Sequence, residues 1–163
     1  DLGNLLSNVK VVDTGGDTMF ERNQNQVLNR IDYMARSAAC NEAFRRAGLK
    51  TPFEIVQSGV VLASRRALTD SSYNSQLGIS EEVRTKANTS NAPAQTIRPQ
   101  FTASKKPVIV FAADAFEDNY IDEAVPHEFI HAAGFGTASG WFGGHDLKAY
   151  PHYDDIIKNC RLR

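Results

Sequence analysis

The residues of this 163-residue chain that could do chemistry crowd into one short stretch. His127-Glu128-Phe129-Ile130-His131 sets two imidazoles four positions apart, with a carboxylate beside the first. On a helix, four residues advance a little more than one turn, so both imidazoles leave the same face within reach of one ion, and Glu128 flanks them. Zinc suits such ligands: it takes neutral imidazole nitrogens tetrahedrally and keeps one position open for water in catalytic sites. The spacing therefore predicts metal-assisted hydrolysis, with His127 and His131 as Zn2+ ligands and Glu128 as general base. A purely structural zinc would close its fourth position and need no base, so Glu128 favours an enzyme. All four histidines, His127, His131, His145 and His152, fall within 26 consecutive positions, so a third ligand is available.

These groups need elements to hold them. A helix is expected from Asp122 or Glu123 to Ala133, stopped by Gly134. Pro126 requires that it begin just before that residue or kink there. The glycine-rich run Gly134, Gly136, Gly140, Gly143 and Gly144 supplies a permissive backbone that returns the chain beneath the ion, arriving at His145 or Asp146. Upstream, Val108, Ile109, Val110 and Phe111 within Pro107–Ala113 read as a buried strand, expected to be the edge to which an extended peptide adds. From Gln24 to Ala47 apolar residues recur at helical spacing (Val27, Leu28, Ile31, Met34, Ala35, Ala38, Ala39), and Gly48 follows as a C′ glycine, which predicts one long helix. Thr51-Pro52 opens a short helix, Gly59 precedes a strand at 60–63, and Leu5 to Val12 ends as a strand entering the Asp13-Thr14-Gly15-Gly16 turn. Residues 69–106 read mostly as loop with one or two short strands, and Tyr153 to Cys160 as a last helix. The expected fold is α+β: a mixed β-sheet packed on the long helix and the HExxH helix. It forms a single domain, 1–163, with an N-terminal subdomain (1–134) and a small C-terminal one (135–163).

From His127 through His131-Ala132-Ala133-Gly134 the sequence resembles the zincin metallopeptidases, and among them the metzincins, whose pattern is HExxHxxGxxH or the same with a final Asp. It departs at Thr137, where that pattern puts the third ligand, so a longer loop delivers His145. No methionine follows residue 34, so there is no Met-turn. Asp146 with Tyr150 is faintly similar to the aspzincins. The resemblance implies a zincin-like catalytic domain that hydrolyses peptide bonds in a peptide or protein substrate by a zinc-activated water, with His127, His131 and His145 on the metal. It also implies a tyrosine soon after the third ligand, Tyr150 or Tyr153, as donor to the oxyanion. Cys40-Asn41-Glu42-Ala43-Phe44 and the segment from His127 to Gly134 are similar to C-terminal domains of large bacterial secreted or repeat-bearing proteins, which implies a secreted or extracellular place. Two other readings remain: a non-catalytic zincin-like domain that binds metal or a protein partner, and a secreted toxin protease with one narrow target.

Composition narrows the field further. Eighteen basic and nineteen acidic residues leave a net charge of −1, without the basic excess that nucleic acid or an anionic membrane surface attracts. No apolar run is long enough to span a bilayer, so no membrane insertion is expected, and the chain reads as a monomer. Residues 107–147 nevertheless carry seven Asp or Glu and no Lys or Arg, which would favour basic substrates near the site; solvated surface and acids at a helix start are the plainer account. The chain begins at Asp1 rather than Met, as expected of a processed product or a portion of something longer. Cys40 and Cys160 are too far apart for a CxxC motif and form either a long-range disulfide or two separate thiols. Asp13-Thr14-Gly15 matches the aspartic-protease triplet, but that chemistry needs two such carboxylates, so a strand-to-turn junction is expected. The acids from Asp114 to Glu123 lack EF-hand spacing, and Asn88-Thr89-Ser90 is a glycosylation sequon only in a eukaryotic secretory route.

Overall fold

A computed structural model of the chain describes residues 2–12, 14, 18–136 and 147–162. The fold is α+β, centred on a small mixed sheet of β1 (Val9–Val12), β2 (Val60–Ser64), β3 (Ala94–Ile97) and β4 (Val108–Phe111), in the order β1-β2-β4-β3. β1, β2 and β4 are parallel, and β3 runs antiparallel to β4 at one edge. All residues of β2, β3 and β4 are buried, because helices cover both faces.

Among the described residues seven α-helices accompany the sheet: α1 (Thr18–Arg36), α2 (Ala38–Arg46), α3 (Pro52–Ser58), α4 (Asn74–Leu77), α5 (Glu81–Ala87), α6 (Tyr120–Ala132) and α7 (Tyr153–Cys160). The two-residue period of the strands divides the interior into two cores. Val60, Leu62, Ala94, Ile109 and Phe111 face α1, α2, α3, α6 and α7, whereas Val61, Ala63, Ile97, Val108 and Val110 face the segment that contains α4 and α5. α7 reaches the first core through Tyr153, Ile156 and Ile157. A disulfide joins Cys40 in α2 to Cys160 in α7, which are 120 positions apart in sequence with Cα atoms 4.5 Å apart. Among the described residues no helix is long and apolar enough to cross a membrane.

Several expectations change. The expected single helix from 24 to 47 is two helices, the first starting at Thr18. Ser37 is extended and its hydroxyl caps α2 by accepting from the Cys40 N–H at 3.1 Å, while the Asn41 amide donates to the carbonyls of Met34, Ala35 and Ser37 and so ends α1. Gly48 does close the pair, at φ 74°. The N-terminal strand is confined to 9–12, with 3-10 turns from Leu2 to Asn8. Residues 69–106 are largely helical turns, not loop: Ser80 caps α5, and Leu77, Ile79, Val83 and Ala87 supply the second core. α6 starts at Tyr120, so Pro126 lies inside it; the N–H it lacks would have gone to the carbonyl of Asp122 in the partly exposed first turn, and the helix survives the loss of one bond. The strand at 108–111 is not an edge, since β2 and β3 flank it. Thr51 and Pro52 start α3 as expected, and Glu54 completes a reciprocal capping box. Asp13 and Gly15 of the Asp-Thr-Gly triplet lie outside the described residues.

Candidate metal centre

α6 carries His127, Glu128 and His131, and the two imidazole rings stand 5.3 Å apart between centroids. His131 is buried and His127 half-buried. What fixes each ring is the partner of its Nδ1. On His131 that atom lies 2.8 Å from the carbonyl oxygen of Phe135. A carbonyl only accepts, so Nδ1 carries the proton. The carbonyl arrives there because Gly134 takes φ +98° after the last turn of α6: its N–H bonds the carbonyl of His131 at 2.8 Å and the Phe135 N–H bonds that of Ile130 at 3.3 Å, a Schellman reversal.

His127 reaches the same state by a different route. Its Nδ1 is 3.2 Å from the Tyr153 hydroxyl oxygen, and that hydroxyl donates its single hydrogen to Glu123 Oε2 at 2.6 Å. The tyrosine oxygen is left as an acceptor, so His127 Nδ1 must donate to it. Both rings thus carry hydrogen on Nδ1, and in the neutral imidazole the lone pair lies on Nε2. This is how metal-binding histidines are prepared: the second ring nitrogen donates to a fixed oxygen, which sets tautomer and orientation. Two neutral imidazole donors suit zinc.

Glu128 packs against β3 of the sheet. The residue is 4% exposed, and its carboxyl accepts the Thr96 hydroxyl of β3 at 2.7 Å. Burial pushes the carboxyl up from its ordinary 4.5 to about 7, with the Thr96 bond pulling the other way. A carboxyl that changes charge near neutrality suits proton transfer in both directions. Burial, and then the bond to Glu123, push the Tyr153 hydroxyl up, which keeps it neutral and in place as a hydrogen-bond bridge.

Of the two tyrosines considered for the oxyanion, Tyr153 is committed to Glu123 and His127. Tyr150 packs its ring against Phe135 at 4.2 Å and against His152 at 5.3 Å, beside the turn that orients His131. His145 and Asp146, the expected third ligands, lie outside the described residues, and among the described residues no group of three or more His, Cys, Asp or Glu is placed to hold a metal. Four supporting groups escaped the sequence reading. Glu123 had a signal, since it precedes His127 by one helical turn. The Phe135 carbonyl follows from any Schellman stop at Gly134. Thr96 lies in a segment that reads mostly as loop with one or two short strands, and Tyr153, 26 positions after His127, reads as an oxyanion donor or a packing residue.

The reversal after α6 gives a first prediction. Gly134→Ala meets no crowding, the nearest atom to its Cβ being Gln100 Oε1 at 3.5 Å, but it places a side chain at φ +98°. It should destabilise the chain by about 1–2 kcal/mol and weaken zinc binding as the Phe135 carbonyl shifts. Denaturant titration and a zinc competition assay read both; native values in the two would show that the turn does not set His131.

No protein-family model matches this chain, and neither a curated protein nor a solved structure does.

Proposed function

We propose that the chain is a zincin-like, zinc-dependent metallopeptidase. The observation that carries this reading is the tautomer of the HExxH pair: two independent oxygen acceptors, from Phe135 and Tyr153, occupy both Nδ1 atoms and leave both Nε2 atoms as the ligating nitrogens. His145 completes the ligand set, with Asp146 as its alternate. Zinc held there supplies a Lewis acid that polarises the scissile carbonyl and acidifies water.

The chain's own groups do the rest. Glu123 and Tyr153 hold His127, Phe135 holds His131, and Thr96 holds Glu128. Glu128 takes the proton of the attacking water and passes it to the leaving amine, and Tyr150 donates to the oxyanion. β3, not β4, is the edge strand beside α6, and an extended substrate adds to it by main-chain hydrogen bonds.

The test combines zinc binding, by dialysis and metal analysis, with cleavage of a mixed peptide library. Expected are one zinc per chain, cleavage abolished by chelator and restored by zinc, and loss of both in His127→Ala/His131→Ala. A chain that takes up no zinc, or cleavage that survives loss of the histidine pair, sinks the reading. His145→Ala should lower zinc affinity far more than His152→Ala, and equal effects would remove His145 from the ligand set. Tyr153→Phe should weaken zinc binding roughly 10–100-fold without unfolding the chain; unchanged affinity would mean that the hydroxyl does not position His127.

A further inference from the structure

A cavity of about 420 Å3 opens on the face of α6 that leads to His127. Tyr120, Glu123, Ala124 and His127 line it at the i, i+3, i+4, i+7 spacing of one helix face, so it adjoins the histidine pair instead of lying elsewhere on the surface. Its deeper wall is buried Ala124 and Tyr153, and the small alanine leaves the depth. Its mouth is formed by exposed residues, among them Asp118, Tyr120 and Arg161.

Two features of the lining point to the charge of its occupant. Asp118 and Glu123 are both in the wall; among the described residues that line it the one cation, Arg161, lies 3.8 Å from Glu123 at an exposed position. Among the described residues, no ion pair engages Asp118. The second feature is Tyr120, the one large apolar side chain that stands exposed among the described residues, 40% open and placed at this mouth. An aromatic ring beside carboxylates is the chemistry that receives an ammonium or guanidinium group, by cation–π attraction on one side and ion pairing on the other. Burial raises the pKa of the Tyr120 hydroxyl, and Glu128, Asp114 and Glu123 add to the rise.

We propose that this cavity is the side-chain subsite of the proposed peptidase and takes the lysine or arginine of a substrate, with the bond to be cut lying over the histidine pair. The inference rests on the peptidase reading for its role, but the cavity's preference can be measured without turnover.

The experiment titrates acetyl-arginine methylamide and its uncharged counterpart acetyl-norleucine methylamide into the zinc-supplied full chain, followed by NMR at Tyr120, Ala124 and His127. In parallel, peptides that differ only by Arg, Lys, norleucine or Glu at one position are tested for cleavage. Expected are shifts at these residues with the arginine amide alone, cleavage favouring Arg and Lys, an Asp118→Asn chain that binds the amide about fivefold more weakly, and an Ala124→Leu chain that does not bind it. Asp118→Asn keeps the test decisive if Ala124→Leu fails to fold. Binding of the arginine amide without cleavage of any peptide would sink the peptidase and keep the cation site. An arginine amide that causes no shift at these residues overturns the subsite, even if every peptide is cut.

Discussion

Glu128→Gln is expected to keep its zinc and to lose peptide hydrolysis by roughly 10²–10⁴-fold, the usual contribution of a positioned proton-transfer group. Glutamine has the same shape and its Oε1 still accepts the Thr96 hydroxyl, so β3 and α6 stay together while the proton carrier disappears. The same variant should be the more stable protein in alkaline, metal-free buffer. The folded carboxyl titrates at about 7 and the unfolded one near its ordinary 4.5, so the folded state binds the proton more tightly. Below 4.5 both states are protonated and the group costs nothing. As pH rises from 4.5 to 7 the unfolded chain ionises first and stability falls; above 7 the loss is complete, about 3 kcal/mol. Urea denaturation of both chains at pH 4 and pH 8 should show equal stability at the first and an advantage for the variant at the second. Retained cleavage would refute Glu128 as the base, and a variant less stable at pH 8 would refute its strained burial.

That charge state could not be seen in the sequence, although Glu128 could. A helix and its ligands are local matters: four-residue spacing, Gly134 as a stop and apolar periodicity were enough to place α6, and the capping residues Thr51 and Gly48 were legible for the same reason. What failed depended on partners distant in sequence. Whether Val108–Phe111 is an edge or a central strand is decided by the pairing of Ala94–Ile97, a strand too short and too mixed to stand out. Ser37 looks like any helical serine until Asn41 is seen gripping the three carbonyls before it. The helices between β2 and β3 bury only a few apolar residues each, so their periodicity is weak, and Thr96, which bonds the Glu128 carboxyl, was hidden with them.

The second large effect concerns the disulfide. Cys40→Ala/Cys160→Ala should cost about 4–5 kcal/mol, because the bridge closes a loop of more than a hundred residues in the unfolded chain. Few other bonds tie α7 to α2: the Arg46–Asp155 pair at 3.0 Å is largely solvent-exposed and contributes about 0–1 kcal/mol. Burial of Tyr153, Ile156 and Ile157 holds the rest. Denaturant titration of the double variant measures the loss, and a loss below about 1 kcal/mol would contradict the constraint. Zinc affinity should fall in the same variant, since α7 carries the Tyr153 hydroxyl that orients His127; in a Tyr153→Phe background the further fall should largely disappear, which separates loosening of the helix from loss of the hydroxyl.

The Tyr153 bridge also sets an order of events during synthesis. His127 leaves the ribosome 26 residues before the tyrosine that fixes its tautomer. Over that interval the nascent HExxH helix already has the turn beside His131 but lacks the Tyr153 contact to His127, and on the proposed reading ion capture strengthens only when α7 docks. A zinc site of the proposed kind would thus be completed only after α7 is made.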